Sequence, residues 1–203
     1  MYIGIDIGGG HSTIGLVDGK GVFISQRRIE TASYILIEAF VEAISTEIYS
    51  LSQEFNVEIE GVGIGAPNGN FLSGSIEYAP NLPWRGIIPL SQLLSDALNG
   101  IPVQLTNDAN AAALGELKFG IAKAKNINDF IMITLGTGLG SGVVVNGQLV
   151  YGHDGFAGEL GHVLVAPNGG RLCGCGRKGC LERYTSATGL VLTAKEALHK
   201  IDA

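Results

Sequence analysis

The sequence has no apolar run approaching the ~20 residues of a membrane-crossing helix. It also has no run of lysine or arginine. The first absence argues against a membrane protein. The second, with 13 basic against 19 acidic side chains and a formal charge of −6, argues against a nucleic-acid partner. The opening residues MYIGIDIGGG have neither the charged start nor the apolar stretch of a secretory leader. A soluble, cytoplasmic setting is the simplest expectation. Cysteine is scarce: there are three, Cys173, Cys175 and Cys180, all within RLCGCGRKGCLERY. An odd count and a Cys-x-Cys spacing argue against a disulfide framework. Thiolates suit zinc, and a structural zinc takes four ligands. Three stand in this turn, so the fourth must come from elsewhere.

Glycine, by contrast, is abundant: 31 of 203 residues, against an average of about 7%. The glycines cluster at the ends of apolar stretches, which suits turns and ligand-facing loops. Ile3, Ile5 and Ile7 alternate with Gly4, Asp6 and Gly8, a strand signature. GGGHS, TIGLV, DG and KGVFIS follow, so the start reads as an antiparallel meander. Between Thr31 and Phe55, Ile37, Phe40, Val41, Ile44, Ile48, Leu51 and Phe55 recur at helical spacing. VEIEGVGIGAP reads as a buried strand, SQLLSDALNG as a helix closed by Gly100, PVQLTNDAN as a strand whose end carries Asn107 and Asp108, and ANAAALGELKF as a helix of small residues. FIMITLGTGLGSGVVVNGQLVYG then repeats the opening order of strand, glycine turn, strand, short turn, strand. SATGLVLTAKEALHKI is a last helix. The weak repeat implies two α/β lobes with a cleft between them.

Consecutive N–H groups in a tight glycine turn form a nest that holds phosphate. DIGGGHS and LGTGLGSG both qualify, although an ordinary hairpin turn is the plain alternative. Neither is a Walker A loop, and neither is followed by the helix that a dinucleotide fingerprint needs. Asp6 stands just before the first turn, where a carboxylate can serve magnesium beside phosphates or simply cap the turn. Asp108, at a strand-to-helix junction, can accept a proton from a substrate hydroxyl. It can equally be a helix N-cap. Asn107 is placed to bind the same substrate. In GELGH, Glu159 and His162 lie one turn apart. His162 precedes the cysteines by a short loop and is the candidate fourth zinc ligand. His11, His153 and His199 lack such a neighbourhood.

The motifs DIGGG, GVGIGAPNG, NDANAAALGE, LGTGLGSG, GELGH and CGCGRKGCLE, in this order, resemble the ROK family of repressors, open reading frames and kinases, within the actin-like sugar kinases. The resemblance spans essentially the whole chain and implies an actin-like (ribonuclease H-like) two-lobe α/β fold. Residues 1–108 would form a small N-terminal lobe, and 109–203 part of a larger C-terminal lobe with the zinc site. It implies ATP-dependent phosphorylation of a hexose or N-acetylhexosamine, typically on the 6-hydroxyl, with Asp108 as general base. Gly69, Asn107, Glu159, His162 and Glu182 would hold the sugar. His162, Cys173, Cys175 and Cys180 would hold a structural zinc. Gly8, Gly9, Gly10, Ser12, Gly136, Thr137 and Gly138 would receive ATP phosphates, with magnesium near Asp6. A homo-oligomer, dimer or tetramer, is expected.

Two departures stand out. Where the family usually carries Thr and then Lys or Asn, this chain has Gly10 and His11, so the hydroxyl expected near phosphate must come from Ser12 or Thr13. The family's kinases are also longer, which suggests a truncated second lobe. A non-catalytic sugar-binding or regulatory protein is therefore the second reading.

Overall fold

The computed structural model describes residues 1–201, with side chains through residue 198. The end of the expected second lobe at residue 203 and the side chain of His199 lie outside them. A five-stranded sheet runs edge to edge through Phe23–Ile29, Ser12–Val17, Tyr2–Ile7, Gly61–Ala66 and Val103–Asn107. β1 (Tyr2–Ile7), β2 (Ser12–Val17) and β3 (Phe23–Ile29) form the expected antiparallel meander. Asp18 closes its hairpin, its Oδ1 accepting from the Lys20 and Val22 N–H groups at 2.8 Å each. α1 (Ile37–Phe55) then crosses to β4 (Gly61–Ala66), parallel to β1, and α2 (Leu90–Ala97) leads to β8 (Val103–Asn107), parallel to β4.

Alternation on β1 decides which face is covered. Ile3, Ile5 and Ile7 are buried with Ile14, Leu16 and Ile64, against Phe40, Ile44, Ile48 and Leu51 of α1 and Leu90 and Leu94 of α2. Gly4 and Asp6 face the other way. α1 begins later than the periodicity suggests. Thr31–Ser33 is a separate 3-10 turn, and Leu36 is extended. Thr31 is buried there by a 2.7 Å hydrogen bond between its hydroxyl and that of Ser12.

A small sheet of β5 (Gly69–Asn70), β6 (Ser75–Glu77) and β7 (Ile87–Ile88) follows β4. Its strands are too short to leave a periodic signature in the sequence. The repeat unit supplies a third, antiparallel sheet: β9 (Phe130–Leu135), β10 (Leu139–Val145) and β11 (Gln148–Leu149), in the order β11-β10-β9.

α3 (Asp108–Lys118) runs between the first and third sheets. Its small residues allow close approach on both sides. A Cβ on Gly65 of β4 would stand 3.1 Å from Ala111 Cβ, and one on Gly142 of β10 only 2.7 Å from Ala113 Cβ. α4 (Ile121–Ala124) follows, and α5 (Glu182–Thr185) and α6 (Ala187–Ile201) close the described chain. Among the described residues, no helix is long and apolar enough to cross a membrane.

Candidate functional site

The site forms where β1, β8, β10 and the cysteine turn end near one another. Asn107 is the N-cap of α3: its Oδ1 accepts from Ala109 N–H at 2.9 Å. Asn107 is extended and Asp108 is the first helical residue, its Oδ1 accepting from the same N–H at 2.7 Å; Asp108 is exposed toward the cleft. Its Oδ1 lies 3.9 Å from where a Gly140 Cβ would stand. Gly69 presses on the end of β8, where a Cβ would fall 2.4 Å from the Thr106 carbonyl oxygen.

Glu159 and His162 share one 3-10 turn, His162 N–H donating to Glu159 O at 3.1 Å. Glu182 opens α5. Its Oε2 accepts from Leu139 N–H at 3.0 Å, and its Oε1 lies 3.8 Å from Cys173 Sγ.

The charges confirm that these groups are neighbours. Burial pushes the Glu159 carboxyl up; His162 opposes this, while Asp108 and Glu182 add to it. Asp6 is raised by burial and then by Asp108. Asp6, Asp108, Glu159 and Glu182 thus form one carboxylate-rich region, expensive to leave empty and suited to hydroxyl donors or a cation. Beside it, between the glycine face of the first sheet and α3, lies a cavity of about 790 Å³, within the usual range for ligand pockets. Asp6, Thr13, Thr106, Asp108, Phe71 and Tyr151 are among its walls.

His162, Cys173, Cys175 and Cys180 offer ligand atoms within 4.8 Å of one another. Cys175 and Cys180 Sγ atoms are 3.6 Å apart, and Cys173 Sγ is 3.7 Å from His162 Nδ1. Ligands at about 2.0–2.3 Å in a tetrahedron stand about this far from one another, so the four residues fit a soft divalent cation. Burial pushes the Cys173 thiol up to about 11. At Cys175 burial acts the same way but is outweighed by hydrogen bonding to the Arg177 backbone and side chain, which brings it down to about 6. The thiolate is the ligating form.

The first glycine turn is closed by Gly8 N–H donating to His11 O at 3.0 Å. Gly10 and His11 are exposed. Ser12 is fully buried, its hydroxyl engaged by Thr31, whereas Thr13 opens onto the cavity. In the second turn Gly136 and Thr137 are exposed, and a Cβ on Gly138 would meet Glu182 Oε2 at 2.5 Å.

Three supporting residues escaped the sequence reading. Ser141 donates to the Gly158 carbonyl and accepts from Leu160 N–H at 3.1 Å, holding both sides of Glu159. Its one signal was a hydroxyl within an apolar strand. Asn70, 5% exposed, donates to Asp154 O at 2.8 Å and accepts from Leu72 N–H at 2.9 Å. Tyr151 stacks on Phe71 with centroids 4.3 Å apart. Neither contact has a sequence signal, because the partners are some 80 residues apart.

The ROK family model matches residues 2–203. The chain is 43% identical over 197 residues to a glucokinase of Streptomyces coelicolor, covering 97% of this chain and 59% of that protein. It is 35% identical to an N-acetylmannosamine kinase of Salmonella arizonae, over 99% of this chain and 66% of that one. The crystal structure of a ROK family glucokinase from Streptomyces griseus, in complex with glucose and AMPPNP, superposes with a TM-score of 0.80 at 40% identity, covering 96% of this chain and 60% of that one. The chain thus spans about three fifths of the length of these glucokinases, and it shares their two-lobe α/β fold.

Proposed function

The chain belongs to the ROK family, and from that premise we propose that it serves ATP-dependent phosphorylation of a hexose or N-acetylhexosamine on the 6-hydroxyl. The observation that carries the reading is the convergence of Asp108, Glu159, His162 and Glu182 beside two glycine turns. Asn107, Glu159, His162 and Glu182 hold the sugar hydroxyls, with Gly69 as cleft wall. Asp108 accepts the proton of the 6-hydroxyl as its oxygen bonds to the γ-phosphorus and the bond to the ADP oxygen breaks. The backbone of residues 8–11 and 136–138 receives the phosphates. Thr13 supplies the hydroxyl there, since that of Ser12 is held by Thr31. Magnesium near Asp6 would neutralise phosphate charge when bound.

The cysteine turn and His162 would hold zinc with no open position. Its part is structural, tying the turn that precedes Glu182 to the turn of Glu159. The lobe boundary is placed at residues 108/109, the sugar and ATP as the partners, and a dimer or tetramer as the assembly. A second reading, sugar binding without turnover, draws on Gly10, His11 and the engaged Ser12 hydroxyl in the first turn.

A coupled ADP-release assay over a panel of hexoses and N-acetylhexosamines tests both. Turnover that Asp108→Asn abolishes supports the kinase. Sugar affinity without turnover supports the second reading.

A further inference from the structure

The carboxylate cluster and the second glycine turn are not merely adjacent. Three hydrogen bonds join them, all from one short stretch of chain. Glu182 Oε2 accepts Leu139 N–H at 3.0 Å. Ala187 N–H donates to Gly136 O at 2.9 Å. Thr188 Oγ1 donates to Thr137 O at 2.8 Å, and is itself 3.0 Å from the Ser186 hydroxyl. Every residue of the 136–139 turn except Gly138 is thus gripped from α5 and the start of α6, and Gly138 is the residue that packs on Glu182 Oε2. The carbonyls of Gly136 and Thr137 are held on the side of α6. Held carbonyls fix the peptide planes, and hence where the N–H groups of the turn point.

We propose that Ala187 and Thr188 are positioning residues for this turn. Together with Glu182 they couple occupancy of the carboxylate cluster by a polyhydroxylated ligand to anion binding at residues 136–139. The proposal rests on the sugar-kinase reading above for the identity of the two ligands. Glu182 is the shared element: one oxygen holds the turn, and the other, 3.8 Å from Cys173 Sγ, takes a hydroxyl of the ligand. A ligand that fixes the Glu182 rotamer also fixes Leu139 and its turn. The turn then has less disorder to lose when it receives phosphate, which is positive coupling by pre-organisation. Linkage makes the effect mutual: the anion tightens the sugar by the same factor.

The variants follow from the local geometry. Thr188→Val removes the hydroxyl and keeps the shape. Thr188→Ser restores the hydroxyl. Ala187→Pro removes the N–H and sets the ring Cδ against the Gly136 carbonyl, so it frees the turn from α6. Position 187 is the first residue of α6, where proline is tolerated, it is exposed, and Ser186 before it already has φ −68°, ψ 166°, as a residue preceding proline prefers.

Glucose and magnesium–ATP affinities are measured by calorimetry, each with and without the other ligand, with a non-transferable imido analogue standing in for ATP so that the pair binds without reacting. The wild-type chain should bind magnesium–ATP more tightly in saturating glucose. Thr188→Val and Ala187→Pro should keep the wild-type affinity for glucose alone. They should lose magnesium–ATP affinity, Thr188→Val by about twofold to tenfold, the value of one net hydrogen bond, and Ala187→Pro by at least as much. Thr188→Ser should recover it, which a role of the methyl group in packing would not produce. Wild-type coupling in both variants, or no coupling in the wild type, overturns the proposal. Should the wild-type chain fail to bind either ligand, the kinase reading fails separately, and amide exchange decides the brace. Faster exchange of Leu139 N–H in Thr188→Val, with β8 unchanged, supports it, and equal exchange refutes it.

Discussion

Gly142→Ala is the sharpest test of how α3 is held. The added Cβ would stand 2.7 Å from Ala113 Cβ, 3.0 Å from Ala109 O and 3.2 Å from Asn110 Oδ1. The two nearest are a helix backbone atom and a first side-chain atom, so neither can swing away. The strand and the helix must separate. Overpacking of this kind costs about 1–3 kcal/mol. Replacing glycine also restricts the unfolded chain, which returns about 0.4–1 kcal/mol. Gly63→Ala isolates that second effect, because nothing lies within 4 Å of its Cβ position. At about 2–4 °C per kcal/mol for a chain of this size, Gly142→Ala should melt about 2–12 °C below Gly63→Ala in a thermal scan followed by circular dichroism. It should also weaken sugar binding, because the helix it displaces begins with Asp108. Coincident melting of the two variants would refute the close packing of β10 on α3.

Asp6→Asn should stabilise the chain near pH 7. Burial and Asp108 hold the Asp6 carboxyl above its ordinary value, so the folded chain keeps a proton that the unfolded chain releases. Stability therefore falls as pH rises from the ordinary value through the raised one, and the full penalty remains above both. The variant's gain in melting temperature should be present at pH 7 and absent well below pH 4; an equal gain at both would show that charge is not its cause. Metal analysis should find one zinc per chain, lost on Cys180→Ser or on acidification, since protonation competes for the ligands. None of the four ligands belongs to the main core. Far-ultraviolet circular dichroism should therefore survive chelation, and its collapse would contradict a locally acting metal site.

Much of this was legible in the sequence for physical reasons. β1 alternates because one face is buried and the other is not, so Ile3, Ile5 and Ile7 announced both the strand and its inner side. The three cysteines could be grouped without a structure because they lie within eight residues. His162 could be added because only a short loop intervenes. Asp108 and Asn107 were legible as a junction, but which of the two caps the helix is settled by the backbone, extended at Asn107 and helical from Asp108, and no pattern carries that. Ser12 shows the opposite case. By position it belongs to the phosphate turn, yet strand alternation turns it inward to Thr31. Contacts such as Asn70 with Asp154, or Thr188 with Thr137, join distant segments through single polar atoms. They leave no periodicity and no motif.

The central claim is that Asp108 and the carboxylates around it activate a sugar hydroxyl toward ATP. The most direct measurement is ADP release by this chain with magnesium, ATP and glucose or N-acetylmannosamine, set against Asp108→Asn. Sugar-dependent turnover is expected in the wild-type chain, and its loss in the variant with sugar affinity retained. Turnover undiminished in Asp108→Asn would contradict it.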